Sequence, residues 1–254
     1  MVIAITREIS PRFAECELTH IERTPIDLNI ARAQHCTYVN ALKELGCKVI
    51  ELPAEAGLPD SVFVEDTAFI LPEVAVITRP GADSRKPETE SIVRALTPLI
   101  GLVRVHAPAT VDGGDVLVLG KWIYIGLSTR SNQHAINQLN EFLREYGYSV
   151  RGIELHDCLH LKSAVTRVDN KTLLINRNWI DASCFENFDL IEVDPSEPHA
   201  ANCLPIGDSI IFPTAFPKTR ARLEERGYHI VAVDVSELAK AEGAVTCCSL
   251  IIAT

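Results

Sequence analysis

No run of apolar residues in the 254-residue sequence approaches the roughly 20 that a membrane-spanning helix needs, so no such anchor is expected. A secretory leader is not expected either: Met1 to Arg7 puts its short apolar run before its first basic residue, the reverse of a signal peptide. A cytoplasmic protein follows as the expectation. The eight cysteines include no CxxC, and only Cys247 and Cys248 are close together, which suits neither a disulfide scaffold nor a zinc finger. Most are expected to be reduced core residues. Basic residues are scarce, 24 Lys plus Arg against 34 Asp plus Glu, and the net charge of −10 argues against a nucleic-acid partner and favours attraction of a cation. No Pro/Gly/Ser-rich linker or low-complexity tract divides the chain. What is present, 47% hydrophobic and 23% charged residues, is the composition of an ordinary globule long enough to bury a core.

The chain repeats itself weakly. Five apolar segments of strand type, Val2 to Thr6, Val74 to Thr78, Trp122 to Gly126, Thr172 to Asn176 and Ser209 to Pro213, share one layout. All but the first follow another extended run across a short turn: Pro72-Glu73, Gly120-Lys121, Asp169-Asn170-Lys171 and Gly207-Asp208. The first segment lacks such a predecessor, and its natural partner is the terminal run Ser249 to Ala253, which would close a ring without an exposed edge. Helices are expected over Asn132 to Tyr146, residues 30 to 45 and residues 217 to 226, followed by short strands at Lys48 to Leu52, Leu102 to His106, Ile191 to Val193 and Ile230 to Val233. One domain over residues 1–254, built from five radial units, is the favoured expectation; a plain α/β sandwich is the alternative.

Polar residues recur at one phase of this repeat, on the first strand of each hairpin or just before it: Asp66, Asp112, His160, Asn202 and Cys247. In a radial array equivalent positions converge, so these residues are expected to line one central pocket. Cys247 and His160 fit a nucleophile and its acid/base partner, because a thiolate at neutral pH needs a cation or proton acceptor beside it. Asp112 fits as the group that orients the imidazole. Taken singly, each has an ordinary reading as core cysteine, half-buried histidine or turn-forming aspartate. In a strand Cys247 and Cys248 would face opposite sides, and periodicity does not say which is the nucleophile. A zinc site on Cys247, His160 and Asp112 is disfavoured by the lack of local ligand spacing.

The stretch Asp60-Ser61-Val62-Phe63-Val64-Glu65-Asp66 carries three carboxylates among apolar residues and is expected to be a buried first strand. Buried carboxylates are costly unless paired, and a planar guanidinium pairs with them best. That guanidinium is either a ligand's or an internal one, from Arg85 or Arg130. Both arginines fall in loops after second strands, where they are also placed to receive a ligand carboxylate.

Together Phe63-Val64-Glu65-Asp66, Ile77-Thr78-Arg79-Pro80-Gly81, Thr110-Val111-Asp112-Gly113-Gly114-Asp115, His160-Leu161-Lys162, Ala200-Ala201-Asn202-Cys203 and Thr246-Cys247-Cys248-Ser249 resemble the dimethylarginine dimethylaminohydrolase family of guanidino-modifying enzymes, nearly end to end. The resemblance implies an α/β fold, the five-bladed α/β propeller (pentein), with pseudo-fivefold repeats around a central active site. It also implies that Cys247 is the nucleophile, His160 the acid/base and Asp112 its neighbour, where some relatives carry Glu. Asp66, with Glu65 and Phe63 near it, would hold the guanidinium. Arg85 and Arg130 would take the α-carboxylate, Asp60 and the backbone of Leu18 the α-amino group, and residues 14 to 24 would form a mobile lid. The implied substrate is a small guanidino compound, N-methylated arginine, converted to citrulline and an alkylamine through a covalent thiouronium, with no cofactor or metal required. Arginine or agmatine deiminases of the same superfamily are the enzymatic alternative. A non-catalytic propeller resembling a ribosome-associated translation factor is the alternative from another class. The oligomeric state, a homodimer included, is left open.

Overall fold

The computed structural model describes residues 1–253. Five three-stranded sheets share one plan, an antiparallel pair extended by a third strand that runs parallel to its middle one. The first sheet joins β1 (Val2–Arg7), β2 (Cys47–Leu52) and β15 (Leu250–Ala253), and the second joins β3 (Ala68–Ile70), β4 (Ala75–Ile77) and β5 (Leu102–Arg104). The third contains β6 (Val116–Leu119), β7 (Trp122–Leu127) and β8 (Ser149–Glu154); the fourth, β9 (Val165–Arg167), β10 (Thr172–Ile175) and β11 (Asp189–Glu192). The fifth contains β12 (Leu204–Ile206), β13 (Ser209–Pro213) and β14 (His229–Val233). The helices are α1 (Leu28–Glu44), α2 (Thr89–Leu96), α3 (Gln133–Leu143), α4 (Leu161–Ala164), α5 (Pro217–Glu225) and α6 (Ser236–Ala239). Tight hairpins at Gly120 and Gly207 adopt φ of 61° and 57°, values that glycine takes without the Cβ clash.

Middle strands read as unbroken apolar runs because each of their two faces packs on a different neighbouring sheet. Ile3 and Ile5 of β1 join Ala75 and Ile77 of β4, whereas Ala4 joins Leu204, Ile206 and Ile211 of the fifth sheet. In β10, Leu173 and Ile175 face β6 and β7 residues such as Leu117 and Tyr124, and Leu174 faces Ile210 and Phe212 of β13. With Val76 meeting Ile123 and Ile125, each of the five sheets is packed against two others and the ring is complete. The first strand of the chain accordingly lies beside the last: β1 pairs antiparallel with β15, Ile3 opposite Ile252.

The expected strands and turns fall where the sequence puts them, with four differences. The unit after β7 has a third strand, β8, that the sequence reading lacks, and α2 was likewise not expected. The fourth sheet has no α-helix in its crossover, only a 3₁₀ turn at Ala182–Phe185, because residues 176–188 are too few for a helix and its two connections. The stretch from Asp60 to Asp66 is not a strand: Val64–Thr67 is a 3₁₀ turn, capped by no side chain, that leads into β3. α3 begins where expected, with the Asn132 side chain accepting from Ala135 N.

Ile5 is fully buried at the junction of the first two sheets, so Ile5→Ala is expected to lower the unfolding free energy by about 2–5 kcal/mol. Ile30→Ala, at a position 47% exposed, is expected to change it by less than about 0.5 kcal/mol. Urea unfolding of the two variants measures both.

Candidate active site

Each residue of the recurring polar set lies two to five positions before a first strand, in the turn that feeds it: Asp66 before β3, Asp112 before β6, His160 before β9, Asn202 before β12 and Cys247 before β15. None of the five lies in a strand, which frees the side chains from strand alternation and lets them point inward. A cavity of about 30 Å³ is lined by Asp60, Phe63, Asp66, Arg85, Arg130, His160 and Cys247, together with Glu17, Leu159, Ala241, Glu242 and Gly243.

Cys247 sits in the turn of residues 244–248 rather than in a strand. Its Sγ lies 3.0 Å from both the N–H and the carbonyl of Ala244. Cys248 does not turn to an opposite face as a strand would require; its Sγ is 3.9 Å from that of Cys247 but is fully buried and absent from the cavity wall. Asn202 holds this turn: its Oδ1 accepts from Val245 N and Thr246 N, each at 3.1 Å, and its Nδ2 donates to Thr246 Oγ1 at 3.0 Å.

His160 occupies the residue before α4, and its Nε2 lies 3.2 Å from Asp112 Oδ2. Asp112, although one methylene shorter than Glu, reaches the imidazole; its other oxygen accepts from Gly81 N at 2.9 Å. Asp115 fixes the start of α4 by accepting from Leu161 N at 2.9 Å, and Ser128 and Ser131 donate to it at 2.7 and 2.6 Å. Asp66 accepts from Gly114 N at 2.9 Å and from Arg85 Nη1 at 2.6 Å. Gly114 is needed for this approach, since a Cβ there would lie 2.7 Å from His160 Nδ1 and 2.9 Å from Asp66 Oδ1.

The charges balance at the centre. Burial works against a charged His160, but Asp66, Asp115 and Asp112 outweigh it and raise the imidazole to about 9. Burial likewise opposes the Asp66 carboxylate, yet His160, Arg85 and the Gly114 N–H hold it down to about 2. Asp115, fully buried, is pushed up by desolvation to about 6. Cys247 is pushed well above an ordinary thiol, by burial first and then by its contact with Cys248. At neutral pH the resting pair is therefore a neutral thiol and an imidazolium.

Two expected ligand residues are engaged within the protein. Arg85 does not stand free for a carboxylate: it pairs with Asp66 and with Glu88 at 2.8 Å, and donates to the carbonyls of Asp60 and Phe63. Burial raises Glu88 to about 7 despite this pairing. Glu65 turns away from the cavity. It accepts from Lys162 Nζ at 2.6 Å and Thr246 Oγ1 at 2.8 Å, its N–H donates to Cys247 O, and it borders a separate cavity of about 490 Å³. Its physical role is to brace the cysteine turn. Arg130 Nη2 donates to Thr19 Oγ1 at 3.0 Å, Asp60 accepts from Glu17 N at 3.1 and 3.2 Å, and Leu18 is half-buried between these contacts.

A metal has one candidate group among the described residues, Asp66, Asp112 and His160, whose ligand atoms lie within 4.8 Å of one another. The imidazolium and Arg85 already supply positive charge there, so an ion would have to displace both the proton and the ion pair. Sequence reasoning gave no role to Asp115, Gly114, Lys162, Thr246 or Glu242. Only Asp115 carried a signal, as a second acid next to Gly113-Gly114 in a stretch otherwise apolar.

Five α/β blades around a cavity that joins thiol, imidazole and carboxylates define the chain as a five-bladed α/β propeller of the pentein class. A family model described as N,N dimethylarginine dimethylhydrolase, eukaryotic, matches residues 19–253. The N(G),N(G)-dimethylarginine dimethylaminohydrolase of Streptomyces coelicolor is 39% identical over 249 residues, covering 97% of this chain and 95% of that one. Its namesake from Pseudomonas aeruginosa is 37% identical over 222 residues, 87% of each chain. A solved structure of the P. aeruginosa protein, a cysteine-to-serine mutant complexed with citrulline, matches with a TM-score of 0.93 at 33% identity, covering 98% of each chain. The chain belongs to the dimethylarginine dimethylaminohydrolase family.

Because the folded pKa of His160 lies above its unfolded value near 6.5, its charge contributes stability that is fully present below about 6.5 and lost as pH rises through about 9. The unfolding free energy of the wild type relative to His160→Gln is expected to fall by about 3 kcal/mol between about pH 6 and about pH 10. Urea titrations of both proteins at the two pH values measure the difference.

Proposed function

We propose that this protein hydrolyses N-methylated L-arginine to L-citrulline and methylamine or dimethylamine. One observation carries the reading: a thiol, an imidazolium and the buried carboxylates of Asp60 and Asp66, brought from three different units of the ring, line one small cavity in a chain of this family. A cationic guanidinium arriving beside the sulfur lowers the thiol pKa by opposite charge, and the thiol proton leaves to solvent. Cys247 thiolate then adds to the guanidinium carbon. His160, already protonated, gives its proton to the departing amine and leaves an S-alkylthiouronium. The neutral imidazole next takes a proton from water, whose oxygen attacks the same carbon, and expulsion of the thiolate yields the ureido product. Asp112 orients the imidazole and Asp115 positions the helix start that carries it.

Phe63 and Asp66 supply the wall for the guanidinium. Asp60 and the Leu18 backbone are assigned to the α-amino group and Arg130 to the α-carboxylate, which Arg85 joins by giving up part of its pairing with Asp66 and Glu88. Glu65 acts from behind the cysteine turn instead of on the substrate. The chain acts as one domain over residues 1–254, in the cytoplasm, with a small molecule and neither nucleic acid nor membrane as its partner. The net charge of −10 supports that choice of ligand, and no helix among the described residues is long and apolar enough to cross a membrane.

Cys247→Ser is expected to abolish citrulline formation, and Cys248→Ser to retain most of it; the opposite result moves the nucleophile by one residue. His160→Ala is expected to lose about 10²–10⁴-fold in kcat while still binding substrate, read by single-turnover assay and calorimetry. Methylarginine, arginine and agmatine supplied side by side are expected to rank in that order of kcat/KM. Preference for agmatine would overturn the assignment of Arg85 and Arg130.

A further inference from the structure

The cavity beside Cys247 has room for roughly two waters and far too little for an arginine, so part of its wall must move in each turnover, and one part, at Glu17, belongs to a segment outside the sheets. That segment, residues 14–24, is anchored in the core at Cys16 and Leu18 and held by hydrogen bonds, among them those of three of its backbone N–H groups. Thr19 N donates to Glu242 Oε2 at 2.8 Å and His20 N to Glu242 Oε1 at 2.6 Å. Both oxygens of one carboxylate are thus used on two consecutive N–H groups. The remaining ties are those of Asp60 to Glu17 N, Arg130 to Thr19 Oγ1, and Ser84 Oγ to Glu17 Oε1 at 2.7 Å.

A second observation concerns the backbone of Glu242 itself. It stands at φ 58°, one of two non-glycine residues with positive φ among those described. A Cβ is disfavoured there and glycine would fit the turn better, so a long acidic residue at this place signals a task for its side chain. The same turn follows α6 and leads within five residues to Cys247.

We propose that Glu242 is the latch of the lid: its carboxylate, by taking the N–H groups of Thr19 and His20, holds the segment shut over the cavity and ties closure to the turn that carries the nucleophile. Glu242 is a positioning residue in this role. It recognises the lid through backbone groups, so lid side chains are free to vary without loss of the catch, while the orientation of the two N–H groups fixes the closed register. A charge-assisted pair of hydrogen bonds is strong enough to favour closure and weak enough to release on the time scale of turnover. The structural half of this inference stands apart from the proposed reaction; its kinetic half rests on the methylarginine reading.

Hydrogen exchange of the lid peptide in the full-length protein, with Glu242→Gln and Glu242→Gly, tests it. Glutamine keeps one acceptor and is expected to speed exchange at Thr19 and His20 about tenfold; glycine removes both and is expected to speed it further, to about a hundredfold. Because φ 58° suits glycine, Glu242→Gly should leave the thermal midpoint unchanged or higher and exchange elsewhere unaltered. With methylarginine, KM is expected to rise about tenfold in the glycine variant and kcat to stay within about twofold. Unchanged lid exchange in Glu242→Gly overturns the latch, as does a lowered midpoint with faster exchange throughout the chain. Faster lid exchange in a protein that turns over no methylarginine supports the latch and removes only its kinetic consequence.

Discussion

A protonated imidazole held among three buried aspartates is the interaction on which the rest of the molecule depends. Neither partner is tolerable alone in that environment, because burial penalises the His160 cation and the Asp66 and Asp115 anions alike. They come from the turns ahead of β3, β6 and β9, which meet where the second, third and fourth sheets pack on one another. In the proposed reaction the same balance stores a proton on His160 for the leaving amine and keeps Cys247 neutral until a cation arrives.

Around that cluster the supporting residues divide by whether they hold His160 or Cys247. Asp115, Ser128 and Ser131 serve the helix start behind His160, and Asn202, Glu65 and Thr246 serve the turn of Cys247. Lys162 links the two, since the residue two places after His160 pairs with the glutamate that braces the cysteine turn. Such bracing limits how far sulfur and imidazole can drift apart, which is the main demand of a two-step acyl-like transfer at one carbon.

Much of this plan was legible in the sequence because it depends on periodicity. Five apolar middle strands are buried on both faces, so each leaves an unbroken run, and the positions of Asp66, Asp112, His160, Asn202 and Cys247 share the phase of those runs. Pairing of β1 with β15 followed from the lack of a hairpin partner for the first strand. Contacts made through geometry alone were not legible. The 3₁₀ turn at Val64–Thr67, where the sequence suggested a strand, is one such feature. Likewise, nothing in the order of residues says whether Asp66 meets a ligand or Arg85. The Glu242 carboxylate reaches a lid more than 200 residues earlier, beyond any local pattern.

The antiparallel pairing of β1 with β15 also bears on how the chain is made. While it is being synthesised, β1 can acquire β2 on one side but keeps its other edge bare until the final strand has emerged, and a bare edge is a template for strands of other molecules. The contact that seals the ring spans nearly the whole polypeptide, so it forms late and slowly compared with the hairpins. Nascent copies thus carry this bare edge for the longest part of their assembly, and Cys247 arrives only with the strand that ends it.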